Sequence, residues 1–243
     1  MNSQQVSELL KELKLSAMCD HYHQEQKGTE THTMTYDDRL GRSLQVQIIY
    51  NAQKRFERYV KVSKIKQCNA AIEDIIYDSR RNLDKNQMHP LTTCQWAKSK
   101  QHIVFLGPTG IGKSWLASAL AIEAIRKGMR VIYKRLPVLL DEMEVARAEG
   151  LLIKYRNSLA KFPILILDDF GLSKLTNRSR HDLLEIIEDK SGSGSIIITS
   201  QIPINKWHDY IGEPTIADAI VDRIVHRAHI IDIQGESMRR QQH

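Results

Sequence analysis

The chain has no apolar run close to the ~20 residues that a helix needs to cross a bilayer. Its longest apolar pieces are short, such as residues 164–167 and 196–198. Residues 1–30 are polar and charged and hold no apolar core of a signal peptide. These absences predict a cytoplasmic protein with no membrane partner. Cysteine is scarce too: Cys19, Cys68 and Cys94 are scattered, odd in number and form no C-x-x-C pair. That excludes a disulfide framework and a cysteine zinc site. His21 with His23, and His226 with His229, lack a Cys or acidic cluster at ligand spacing and read as ordinary surface or core histidines.

What is present is a soluble balance: 42% hydrophobic and 26% charged residues in a chain of 243. That is enough for one large or two small domains with a true core. The net charge of +6 and pI near 9.2 favour polyanionic partners without identifying one.

Residues 1–66 read as a helical N-terminal domain. Val6, Leu9, Leu10 and Leu13 recur at helical spacing and share one face. A polar loop follows around residues 27–33. Thr35 then has the character of an N-cap, with Asp38 three residues on. Leu40, Leu44, Ile48, Ala52 and Phe56 follow at four-residue spacing and predict a long helix over residues 36–62. Its end is basic: Lys54, Arg55, Arg58, Lys61, Lys64 and Lys66 stand against one acid, Glu57, with Phe56 and Tyr59 interleaved. This run fits a phosphate-contacting surface and equally a solvated helix face with aromatics in the core.

Residues 67–243 read as a second domain of alternating strands and helices. Strands are predicted at residues 102–106, 129–134, 164–167, 195–199 and 229–233. Helices are predicted at 114–126, 138–148, 153–160, 180–190 and 215–226. Continuous apolar strands separated by helices imply an α/β fold with a parallel five-stranded sheet covered on both faces.

The segment Gly107-Pro108-Thr109-Gly110-Ile111-Gly112-Lys113-Ser114 matches G-x-x-x-x-G-K-[ST] without departure, between a predicted strand and a predicted helix. Three glycines let the backbone turn its N–H groups inward around phosphates. The following helix adds the positive end of its dipole. Lys113 is placed to reach the terminal phosphates and Ser114 to offer a hydroxyl to Mg2+. Residues 164–167 are apolar and lead into Asp168-Asp169. Two carboxylates thus emerge at the C-terminal end of a buried strand, where ligands of such sheets bind. Asp168 is placed to hold Mg2+ and Asp169 to act as general base on the attacking water.

These residues resemble the AAA+ superfamily and are similar to the IstB-like helper ATPases of bacterial insertion sequences, relatives of DnaC-type helicase loaders. The likeness is carried by residues 107–114 and by Leu165, Asp168, Asp169, Phe170, Gly171 and Leu172. It continues in Ile198-Thr199-Ser200-Gln201, in residues 207–223 around Gly212-Glu213-Pro214-Thr215-Ile216-Ala217-Asp218-Ala219-Ile220, and in Gly235-Glu236-Ser237-Met238-Arg239. The resemblance implies a P-loop ATPase core; the chain departs from the usual AAA+ pattern in stopping soon after the fifth predicted strand, so no C-terminal lid domain is expected. It implies a polar sensor within Thr199, Ser200 and Gln201, Gln201 being favoured and Ser200 next. It makes Arg223 an arginine finger for a neighbouring subunit and Arg239 a second nucleotide sensor. Trp115 joins residues 107–114 and Arg239 as a nucleotide contact. Asp169 stands where many relatives carry glutamate, so hydrolysis is expected to be slow and stimulated by assembly, DNA or transposase.

The function implied is an ATP-dependent regulator of insertion-sequence transposition that binds ATP and Mg2+, self-associates on double-stranded DNA and engages the cognate transposase. A DnaC-like helicase loader is the alternative. A metabolic P-loop kinase, or a protein using ATP only as an assembly ligand, are further rivals. The helical insertion at residues 136–160 is expected to face DNA, with Lys134, Arg135, Arg147, Lys154, Arg156 and Lys161 as its cations among several acids.

Overall fold

The computed structural model describes residues 2–27 and 34–238. Two compact units form, Met1–Arg58 and Tyr59–His243.

The first unit is helical. Helix α1 is Ser3–Glu12, and Asn2 and Gln5 cap it reciprocally (2.9 Å each way). Helix α2 is Ser16–Lys27 and α3 is Tyr36–Ser63. Thr35 caps α3: its Oγ1 accepts from Asp38 N (3.2 Å) and donates to Asp38 Oδ2 (2.6 Å). Polar side chains stitch these helices. His23 Nε2 lies 3.0 Å from Ser7 Oγ, and His21 Nδ1 lies 3.0 Å from Ser43 Oγ. Met18 N donates to Gln47 Oε1 (3.0 Å).

The second unit is built on a parallel sheet. Its strands are β1 His102–Leu106, β2 Val131–Arg135, β3 Ile164–Phe170, β4 Ser195–Ser200 and β5 Ala228–Asp232. They lie in the order β2-β3-β4-β1-β5. Central registers pair Ile166 with Ile197 and Val104 with Ile198. β1 and β4 are buried throughout, as strands covered on both faces must be.

Alternation splits each strand between two layers. Val104, Leu106, Ile132, Leu165, Leu167, Ile196 and Ile198 pack with α7 (Leu136–Ala148), α9 (Asn177–Lys190), α10 (Trp207–Ile211) and α11 (Pro214–Val225). The largest buried side chain there is Trp207, its ring 4.4 Å from that of Phe170. Helix α6 (Lys113–Arg126) touches β1 through β4 and is buried along most of its length. Helix α8 (Leu152–Ala160) follows α7 and packs on it.

The strand and helix bounds match the sequence expectations to within three residues at their ends, and the change at β3 bears on the site. That strand runs three residues further, through Asp168 and Asp169 to Phe170, by means of a register shift against β4 between Leu167 and Phe170. Ahead of the sheet the chain forms two 3-10 turns, Ile72–Asp74 and Ser79–Arg81, and helices α4 (Lys85–Thr92) and α5 (Gln95–Lys98). Pro90 inside α4 and the four-residue length of α5 hide both from periodicity. Among the described residues no helix is long and apolar enough to cross a membrane.

Candidate active site

The glycine turn between β1 and α6 is shaped by close approach. Gly107 has φ 141° and Gly112 φ 101°. A Cβ at Gly107 would lie 2.2 Å from the Ile233 carbonyl oxygen, and one at Gly110 would lie 2.2 Å from Ser237 Oγ. The segment after β5 therefore runs across the loop and is pinned there, Met238 N donating to Gly110 O (3.0 Å). Gly112 precedes α6 in the left-handed region with no side-chain cap. The first-turn N–H groups of α6 are thus left to an anion or water.

Lys113 is buried, and its Nζ donates to the carbonyls of Gly107 (2.7 Å) and Pro108 (2.8 Å). Burial pulls its pKa below the ordinary lysine value, while Asp168 and Asp169 pull it back up. Ser114 Oγ donates to Asp168 Oδ1 (2.7 Å). Thr199 Oγ1 donates to the same oxygen, and the Tyr133 hydroxyl donates to Asp168 Oδ2. Burial and then this hydrogen bond hold the Tyr133 pKa far above its usual value. Asp168 is thereby buried, oriented from three elements and turned toward the serine of the loop.

Asp169 takes φ 62°, a left-handed backbone at the register shift. Such a conformation costs a non-glycine residue about 1 kcal/mol or more and concentrates at functional sites. Its N–H donates to Thr199 Oγ1 (3.2 Å), and its Oδ2 lies 2.6 Å from Arg135 Nε.

A cleft of about 410 Å³ opens over these groups. Thr109, Gly110, Gly112, Lys113, Ser114, Trp115, Asp169, Thr199 and Gln201 line it, whereas Gly107, Pro108 and Ile111 do not. Ile111 is buried beneath the loop. Gln201 Oε1 accepts from Thr109 Oγ1 (2.7 Å), which brings the residue after β4 onto the phosphate loop. Ser200 turns away: its Oγ bonds Ile202 O (2.9 Å) and Ile202 N (3.1 Å). Thr199 rather than Ser200 is the hydroxyl at the carboxylates.

The cleft has another wall that the sequence reading did not assign. Ile75, Ile76, Asp74 and Arg81 come from the segment ahead of the sheet, and Met238 from the strap after β5. Ile75 is buried and Ile76 exposed, and no local sequence pattern ties the pair to the loop.

Arg223 lies elsewhere. Its Nη2 pairs with Glu188 Oε1 (2.8 Å) and its Nη1 donates to Ala219 O (3.0 Å). Arg239 falls outside the described residues. Lys54, Arg55 and Arg58 are exposed in the first unit, as are Lys61, Lys64 and Lys66 in the second; Phe56 and Tyr59 are half-buried. The cations around α7 and α8 are mostly engaged. Lys134 pairs with Glu142, Arg147 with Asp182, and Arg135 with Asp169. Arg156 pairs with Asp189 (2.8 Å) and Glu185 (2.5 Å). Lys154 and Lys161 are exposed.

The arrangement supplies N–H donors and an ammonium for phosphates, a hydroxyl and a carboxylate suited to a hard divalent cation, and a second carboxylate beside them. The family model described as IstB-like ATP binding protein matches residues 8–243. A putative insertion sequence ATP-binding protein, y4pL of Sinorhizobium fredii, is 40% identical over 88% of this chain and 86% of its own length. The crystal structure of the DnaC helicase loader aligns with a TM-score of 0.58 at 20% identity, over 68% of this chain and 97% of that one. AMPPCP-bound DnaA from Aquifex aeolicus aligns with a TM-score of 0.58 at 18% identity, over 72% of this chain and 53% of that one.

Proposed function

Because the chain belongs to the IstB-like ATP-binding protein family, we propose that it is an ATP-hydrolysing regulator of insertion-sequence transposition that assembles on double-stranded DNA and engages the element's transposase. The observation that carries the ATPase reading is the 2.7 Å contact between Ser114 Oγ and Asp168 Oδ1, beside Lys113, where the phosphate loop meets the acidic end of β3. On this reading residues 67–243 are the ATPase domain and residues 1–66 a helical domain.

The amides of the loop and Lys113 hold the phosphates, and Trp115 lines the same pocket. Ser114 and Asp168 are the residues that would hold Mg2+, which offsets phosphate charge when bound. Asp169 accepts a proton from the water whose oxygen attacks the γ-phosphorus, while the bond from that phosphorus to the bridging oxygen breaks and ADP leaves. Gln201 senses the terminal phosphate, a reading supported by its contact with Thr109 on the phosphate loop, with Thr199 beside the carboxylates. Arg223 completes the site of the adjoining subunit after release from Glu188. DNA contact falls chiefly to Lys54, Arg55, Arg58, Lys61, Lys64 and Lys66, an exposed run of six cations in which Lys54 makes only a solvent-exposed 3.5 Å pair with Glu57, whereas most cations around α7 and α8 are held in closer ion pairs.

The test is DNA affinity and particle size measured with ATP, ADP and a non-hydrolysable analogue. Tighter DNA binding and larger particles with the triphosphates are expected. Identical behaviour in all three nucleotides would rule out the nucleotide-controlled assembly. A pull-down with the transposase against the replicative helicase separates this reading from a helicase loader.

A further inference from the structure

Arg81 lies ahead of the sheet, far in sequence from the phosphate loop, yet its side chain reaches that loop. Its Nη2 donates to Ile111 O and its Nη1 to Ile76 O, each at 2.8 Å. A Cβ built on Gly112 would meet Arg81 Nη2 at 3.3 Å, so the guanidinium lies against the turn that opens α6. It lines the same cleft as Lys113 and Ser114.

Its charge is poorly matched where it stands. The Asp78 carboxylate is taken by Arg80, with a closest contact of 2.6 Å. Among the described residues no carboxylate lies within ion-pair distance of Arg81, which is left with two backbone carbonyls, while its Nε is buried with no partner. Burial pulls its pKa below the ordinary arginine value, against the attraction of the Asp78 charge. A guanidinium has five N–H donors in a fixed fork suited to phosphate oxygens, and here most of them are unspent. The backbone beneath it is fixed: Gln234 N donates to Arg81 O (2.9 Å) and Asn82 Nδ2 to Asp232 O (2.9 Å). The position is set before any ligand arrives, and set by the strand end and strap that also bound the loop.

We propose that Arg81 is a nucleotide-binding residue, supplied from the segment before the sheet, whose guanidinium adds a cation to Lys113 for the phosphate chain. The inference rests on the reading of the cleft as an ATP site. Among the described residues, the charged groups lining the cleft are Asp74, Arg81, Lys113 and Asp169. With Lys113 alone, a triphosphate would meet more acid than base. Arg81 evens that balance and at the same time ties the apolar Ile75–Ile76 wall to the phosphate loop.

The experiment is a titration of the full chain with fluorescently labelled ATP and ADP, comparing wild type with Arg81→Lys, Arg81→Gln, Arg81→Ala and Lys113→Ala, with thermal unfolding of each. Arg81→Gln and Arg81→Ala should bind both nucleotides about tenfold or more weakly, and Arg81→Lys should recover most of the loss. Equal affinity of the Lys and Gln variants, or wild-type affinity in Gln, overturns the assignment, because a neutral strut would serve either way. Should Arg81→Ala fail to fold, the Lys–Gln comparison still decides. If Lys113→Ala loses ATP while the Arg81 variants keep it, only the Arg81 assignment falls. If Lys113→Ala binds ATP as wild type does, the reading of the cleft falls and this inference with it.

Discussion

Arg135 Nε lies 2.6 Å from Asp169 Oδ2, joining the residue that opens α7 to the acid at the end of β3. The pairing and the attraction of Asp169 hold the Arg135 pKa above its usual value. The guanidinium occupies the Asp169 oxygen that would otherwise accept from the attacking water. Arg135 is also a candidate DNA contact, so a DNA phosphate that drew it away would free Asp169. Arg135→Ala is expected to raise basal ATP turnover several-fold at unchanged ATP affinity and to shrink stimulation by DNA. Phosphate release at saturating ATP, with and without DNA, measures both. Basal turnover at or below wild type would show that the pair does not restrain Asp169.

The Arg223–Glu188 pair (2.8 Å) sets a second expectation. Both side chains are about a third or more exposed, so the pair contributes little to stability. Arg223→Ala should leave ATP affinity and unfolding temperature near wild type and cut turnover tenfold or more, as loss of an arginine finger does. Glu188→Gln should release Arg223 and leave turnover intact or raised. Normal turnover in Arg223→Ala removes the finger role.

The parts of the site that a sequence shows are those its neighbours encode. The loop at residues 107–114 and the apolar run into Asp168-Asp169 are local patterns, and the strand-helix and strand-turn settings follow from them. Tyr133 and Thr199 reach Asp168 only because β2 and β4 flank β3 in register; strand order is not written in either residue's surroundings. Arg81 contacts a loop carbonyl thirty positions away. The left-handed turn of Asp169 arises from a register shift between strands, which an Asp-Asp pair does not announce. On the charged helices the limit was different. Lys134, Arg147 and Arg156 are basic in sequence, but the acids that occupy them are brought by folding.

That difference directs the DNA prediction to the exposed cations Lys61, Lys64 and Lys66. Each phosphate contact to duplex DNA contributes about 0.9 to the slope of log affinity against log salt. Replacing all three by Ala should lower that slope by roughly 2 to 3 and weaken binding alike across DNA sequences. Fluorescence anisotropy at several salt concentrations, with ATP present, reads the slope. An unchanged slope would place the phosphate contacts elsewhere.

His102 gives the fold a pH dependence independent of the ATP site. It is buried at the start of β1, where its Nδ1 accepts from Ile196 N at 3.1 Å. Burial, helped by the charge of Arg227, holds its pKa down at about 4, against about 6.5 for an unfolded histidine. Between those values the unfolded chain takes a proton that the folded chain refuses. Stability contributed by this site is therefore complete above about pH 6.5 and is lost as pH falls toward 4. Protonation also converts the Nδ1 acceptor into a donor facing the Ile196 N–H. His102→Asn keeps an acceptor there and removes the titration. Relative to wild type, its unfolding free energy should fall less between pH 7.5 and 4.5, by roughly 2 kcal/mol. Other groups titrate in both proteins and cancel in the difference. Parallel denaturant-unfolding curves across that range would show that His102 is already protonated in the fold, and that the strand start tolerates the charge.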